Sequence, residues 1–128
     1  MPDDDTSAAF PLEHTQRLLP LPATSAWPDG IWDTEVLRRG DVSLSLFTPR
    51  GADHQSVHEQ DEVYLVIAGT GLLRSGDLEH AFVPGDALYV AAGQEHRLVG
   101  DLTGLVMWVV FWTCRPAGDP GRRKEHSR

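Results

Sequence analysis

His58-Glu59-Gln60-Asp61-Glu62-Val63-Tyr64-Leu65-Val66-Ile67-Ala68-Gly69 divides into a polar head and a β-type body. From Glu62 to Ile67 the residues are mostly β-branched, aromatic or apolar, and Ala68-Gly69-Thr70-Gly71 ends the run with turn formers. The body therefore reads as a strand and its turn. The head sets His58 beside Glu62, and a second imidazole, His96, follows the Pro84-Gly85-Asp86 turn and one more short strand. Two imidazoles and a carboxylate are the ligand set of a metal centre that keeps open coordination positions.

The spacing constrains the path of the chain. Four extended residues span roughly 13 Å, whereas two ligands of one ion each lie about 2.0–2.2 Å from it. The chain must therefore turn between His58 and Glu62, and Glu59-Gln60-Asp61 is a suitably polar turn, with Asp61 read as a solvated turn residue. His58 then ends one strand and Glu62 begins the next.

On both sides of this segment the pattern is short strands separated by Gly and Pro turns. Thr34–Arg38 and Asp41–Phe47 flank Arg39-Gly40, and Val42, Leu44 and Leu46 alternate with Ser43, Ser45 and Phe47. Further runs are 72–74, 78–83, 87–90 and 96–99, each ended by turn residues. Leu105 to Trp112 is apolar on both faces, as expected of a strand covered on both sides, with Trp108 and Trp112 on one face and Met107 and Phe111 on the other. No stretch between 34 and 112 has a helical period with caps. The expectation is an all-β barrel over residues 34–114, an extended N-terminal arm over 1–33 and a disordered basic tail over 115–128. Leu18-Leu19-Pro20-Leu21-Pro22 excludes a helix interior there, and the arm is free to cover a sheet edge or reach a second subunit.

Composition excludes several classes. A net charge of −8 disfavours nucleic acid as a partner. A single Cys, Cys114, rules out an intramolecular disulfide framework and a Cys-rich zinc cluster. The acidic start has no apolar core behind it, as a secretory signal would, and no apolar run reaches the ~20 residues that span a bilayer. The expectation is a cytoplasmic protein with no membrane partner. His14, His80 and His126 are read as surface residues.

Two separated motifs carry a family resemblance. Glu62, six residues and Gly69 match the end of the first cupin motif, His-x-His-x3–4-Glu-x6-Gly. Gly85 followed by Ala91-Ala92-Gly93-Gln94-Glu95-His96 resembles the second, Gly-x5-Pro-x-Gly-x2-His. Ser56 stands where the first His of the pair would fall, Ala91 replaces the motif proline, and Gly100 stands at a frequent Asn position. The resemblance implies a small single-domain cupin, a double-stranded β-helix or jelly-roll barrel. It implies His58, Glu62 and His96 as metal ligands. The fourth ligand position falls to His54, to Gln55, or to water or substrate. A degenerate cupin would instead pair Glu62 with His58 or Arg97 and hold no metal.

The resemblance further implies a divalent transition metal, iron, zinc, nickel or manganese, and a small-molecule substrate in the barrel. Iron would support dioxygenase chemistry, and the others Lewis-acid isomerase or lyase chemistry. Tyr64 shares the parity of Glu62 and is the candidate proton donor or substrate contact, with barrel filling as its plainer role. The other class of function is a binding or sensing cupin without turnover. The apolar last strand and the Pro-rich arm both ask for a covering surface, which points to a homodimer.

Overall fold

The structure is a computed structural model that describes residues 6–50 and 59–114. Eight strands and one short helix follow one another as α1 (Leu12–Gln16), β1 (Asp33–Arg39), β2 (Val42–Phe47), β3 (Asp61–Ala68), β4 (Gly71–Ser75), β5 (Leu78–Phe82), β6 (Ala87–Val90), β7 (His96–Val99) and β8 (Val106–Trp112). They form an antiparallel five-stranded sheet in the order β1-β2-β8-β3-β6 and a three-stranded sheet in the order β5-β4-β7. This is the all-β jelly roll that the turn spacing indicates. For the eight described strands the bounds agree with the sequence reading to within one residue; the strand expected to end at His58 and the tail expected over 115–128 lie outside the described residues.

Alternation explains what each sheet buries. Along β3, Glu62, Tyr64 and Val66 are buried while Leu65 and Ile67 are exposed; along β6, Leu88 and Val90 are buried while Ala87 and Tyr89 are not. Register carries the same face across the sheet, because Tyr64 pairs with Leu88 and Val109, and Val66 with Met107. The other sheet contributes Leu73, Phe82 and Leu98 from above, and Leu102 and Leu105 close the end of the core. Phe47 and Phe111 pack against its margin. Gly69 lets the β3–β4 turn lie on this end: its φ is +87°, and a Cβ there would stand 2.7 Å from Leu105 Cα.

The N-terminal segment departs from a purely extended arm. Pro11-Leu12-Glu13-His14-Thr15-Gln16 makes one helical turn, in which Thr15 is buried and its hydroxyl donates to the Pro11 carbonyl at 3.0 Å. Proline at the start costs the turn no donor, because the first helical N–H groups have no intrahelical acceptor. The helix ends before the Pro20 and Pro22 that exclude it downstream. Gln16, Leu19 and Trp32 from this segment meet Thr48, Arg50, Gly104, Leu105 and Val106 around a cleft of about 250 Å³, so the arm lies against its own barrel. The Arg50 guanidinium sits 4.4 Å over the Trp32 ring.

Candidate functional site

Glu62, Tyr64 and His96 meet inside the barrel. Glu62 and Tyr64 are two apart on β3 and share its inner face. His96 begins β7 in the opposite sheet, where it pairs with Ser75 of β4 and also points inward. Its Nε2 lies 2.9 Å from Glu62 Oε1, and both side chains are only 1% exposed. The Tyr64 hydroxyl donates to Glu62 Oε1 at 3.2 Å and stands 3.2 Å from His96 Nε2.

The polar satisfaction of this group is uneven. Glu62 Oε2 is buried and has no hydrogen-bond partner among the described residues. A buried carboxylate oxygen without a donor is costly, and such charges are ordinarily paired or metal-bound. The other nitrogen of His96, Nδ1, lies 3.3 Å from the Gln94 carbonyl. A carbonyl only accepts, so a hydrogen bond at this contact is one that Nδ1–H donates, leaving Nε2 to face Glu62. When the ring is neutral, that tautomer turns the Nε2 lone pair towards Glu62, the form a metal requires. A lone pair and a carboxylate oxygen 2.9 Å apart need a positive centre, proton or cation, near both. Two donors each about 2.1 Å from one ion and at right angles to it are roughly 3 Å apart. The residues present therefore fit a divalent cation.

Among the described residues no group of three His, Cys, Asp or Glu side chains converges. His54, Gln55 and His58, expected as ligands from the sequence, lie outside the described residues, as does His126. The structure thus brings together Glu62, His96 and Tyr64. Arg97, offered by the sequence as an alternative partner of Glu62, points outward and is exposed. His14, His80 and Cys114 are exposed.

Asp61 corrects the sequence reading. Its expected place was a solvated turn, but it opens β3 and is 7% exposed. Its Oδ1 accepts the Tyr89 hydroxyl at 3.0 Å and the Ala92 backbone N–H at 2.8 Å. The sequence hides this because Tyr89 and Ala92 follow Asp61 by some thirty positions. Only the register of β3 with β6, which sets Val63 opposite Tyr89, brings them together.

The walls around the site are apolar: Val66, Leu88, Val90 and Leu98 are buried beside it. The fold is a small jelly-roll barrel with an inward carboxylate and imidazole on facing sheets. A family profile described as the cupin domain matches residues 43–112. The chain belongs to the cupin family.

An uncharacterized protein of Streptomyces coelicolor is 33% identical over 97 residues, which are 74% of this chain and 91% of that protein. Among solved structures, a cupin superfamily protein from Desulfitobacterium hafniense superposes with a TM-score of 0.55 at 22% identity, covering 63% of this chain and 75% of that one. A Ralstonia eutropha protein provisionally named a mannose-6-phosphate isomerase gives 0.56 at 21%, covering 64% and 83%. KdgF from a Halomonas species gives 0.55 at 19%, covering 65% and 80%. At these identities the likeness shows the fold.

Proposed function

We propose that this cupin holds a divalent transition metal through His58, Glu62 and His96 and acts as a metal-dependent enzyme on a small molecule. The observation that supports this most is Glu62 Oε2, a buried carboxylate oxygen with no donor among the described residues, beside an imidazole whose Nδ1 is already engaged. Bound there, the metal supplies a Lewis acid for a carbonyl or enolate, or with iron a centre for dioxygen chemistry. His54, Gln55, water or substrate completes the coordination.

The chain's own residues do the rest. Glu62 neutralises charge and His96 is held in the tautomer that offers Nε2. Tyr64 holds a proton on its phenolic oxygen within hydrogen-bond reach of both, and it transfers or shares that proton with a substrate oxygen. Val66, Leu88, Val90 and Leu98 exclude water and select a substrate with an apolar body and one metal-binding group. The Ralstonia eutropha neighbour named for mannose-6-phosphate isomerisation shares the scaffold, and the reaction proposed is of isomerase, lyase or dioxygenase type.

The test is metal content by mass spectrometry on cytoplasmically expressed protein prepared without chelator or polyhistidine tag, beside His58→Ala and His96→Ala. Near-stoichiometric metal that falls in both variants is expected. Metal-free wild type after reloading would leave a non-catalytic ligand-binding barrel.

The partner proposed for the outer sheet face is a second copy of the chain. Val63, Leu65, Trp108 and Val110 share that face by register and carry no charge, and Leu65 is exposed. A homodimer that Leu65→Glu converts to monomer in sedimentation is expected. A monomeric wild type, or a dimer unchanged by the substitution, refutes the assignment.

A further inference from the structure

Asp61 and Glu62 are sequence neighbours whose side chains leave β3 on opposite faces. Glu62 enters the barrel. Asp61 stays on the outside of the same strand end, where Tyr89 and Trp112 stack with ring centroids 6.2 Å apart. Asp61 pairs with Trp112 across β3 and β8, so this aromatic pair lies against it and helps keep it from water. Beneath that cover, one carboxylate oxygen receives both the Tyr89 hydroxyl and the Ala92 N–H.

Ala92 belongs to the short connection that delivers His96. The connection turns at Ala91–Gln94, with the Gln94 N–H donating to the Ala91 carbonyl at 3.1 Å and Gly93 at φ +77°. Its far end is held by Ser75, whose hydroxyl donates to the Glu95 carbonyl at 3.3 Å. Gln94, the residue whose carbonyl engages His96 Nδ1, also lies over Gly76, where a Cβ would come within 3.0 Å of its Nε2. The connection is thus pinned to β4 at one end and to β3 at the other. The β3 pin is Asp61, one peptide from Glu62.

We propose that Asp61 is a positioning residue for the metal-binding pair. Its carboxylate ties the connection bearing Gln94 and His96 to the strand bearing Glu62. It thereby sets the Glu62–His96 separation and the His96 tautomer. The distances support this role. Charge-assisted hydrogen bonds are the stronger kind, and two of them converge on a screened oxygen. A purely local turn would need no contact with β3, since the Ala91–Gln94 bond already closes it.

The metal arm of the test rests on the metal-holding reading; the tautomer arm does not. Asp61→Ala, Asp61→Asn and Tyr89→Phe are compared with wild type by nitrogen-15 NMR of His96, by hydrogen exchange of the Ala92 amide, and by calorimetric titration with zinc. Asp61→Ala is expected to speed Ala92 exchange, to mix the His96 tautomers and to weaken zinc binding by about 10- to 100-fold, the usual consequence of losing an outer-shell partner. Asp61→Asn keeps an acceptor oxygen and is expected to restore the tautomer and most of the affinity. Tyr89→Phe removes one of the two bonds and is expected to fall between them, and it carries the test if Asp61→Ala does not fold. Wild-type tautomer and Ala92 exchange in both Asp61→Ala and Tyr89→Phe overturn the proposal, as does a lowered Tm with unchanged zinc affinity and tautomer. If wild type takes none of zinc, iron(II), nickel or manganese, the metal reading fails, and the tautomer and exchange results still decide the role of Asp61.

Discussion

Replacing Glu62 by Gln separates two explanations of the buried pair. If Glu62 and His96 form a structural ion pair, neutralising one partner leaves the other buried and uncompensated, at a cost of about 3–5 kcal/mol. If the site exists to hold a cation, Glu62 Oε2, which has no donor among the described residues, is already a burden on the metal-free protein, and Glu62→Gln removes part of it. Gln keeps an acceptor for the Tyr64 hydroxyl. On the second explanation, metal-free Glu62→Gln loses at most about 1–1.5 kcal/mol, the net worth of one hydrogen bond.

Metal reverses the comparison. A ligand at 100 times its Kd stabilises the fold by about 2.7 kcal/mol. For a domain of this size each kcal/mol moves Tm by roughly 4 °C. Wild type should therefore gain about 10 °C with excess zinc or manganese, and Glu62→Gln almost none. Differential scanning fluorimetry of both proteins, with chelator and with metal, reads all four values. The reasoning is refuted if Glu62→Gln is strongly destabilised in chelator while wild type gains nothing from metal.

Three further substitutions test the frame around the site. Leu73→Ala, at a fully buried position under the site, should cost about 2–5 kcal/mol in chemical denaturation. Gly69→Ala places a Cβ 2.7 Å from Leu105 Cα at φ +87°, and should cost at least about 1–2 kcal/mol for the backbone alone, read as a lower denaturation midpoint. Asp101 is held below the ordinary carboxylate range by the Thr103 backbone N–H and then by its side chain. A depressed folded-state value gives stability that is present above the unfolded value of about 3.9 and is lost as pH falls through the folded one. Asp101→Asn should therefore melt slightly below wild type at pH 6, with the gap closing in melts taken below about pH 3.9.

The strands were legible because the chain alternates cleanly where it forms sheets. Leu88 and Val90 against Ala87 and Tyr89, or Tyr64 and Val66 against Leu65 and Ile67, state in sequence which face is buried. The turns were legible for the same kind of local reason, Gly and Pro at positions that need them. The meeting of Glu62, Tyr64 and His96 followed from parity plus two motifs, since parity fixes the direction of a side chain and the fold brings the strands together. The single helical turn at Leu12–Gln16 was missed because five residues are too few to show a helical period. Asp61 was missed for a different reason. A polar residue beside other polar residues looks solvated, and its acceptor role depends on a backbone N–H that no sequence pattern announces.

That last omission bears on how the site is built. A strand sends consecutive side chains to opposite faces, so a residue that faces the barrel interior has a neighbour outside at no cost in length. Here the inner neighbour is Glu62 and the outer is Asp61, and each reaches the segment that ends in His96, one through Nε2 and the other through the Ala92 amide. The two contacts lie on opposite sides of one sheet yet constrain the same distance. A change on the outer face at Tyr89 therefore reaches the Glu62–His96 pair through two hydrogen bonds at Asp61, without passing through the apolar core.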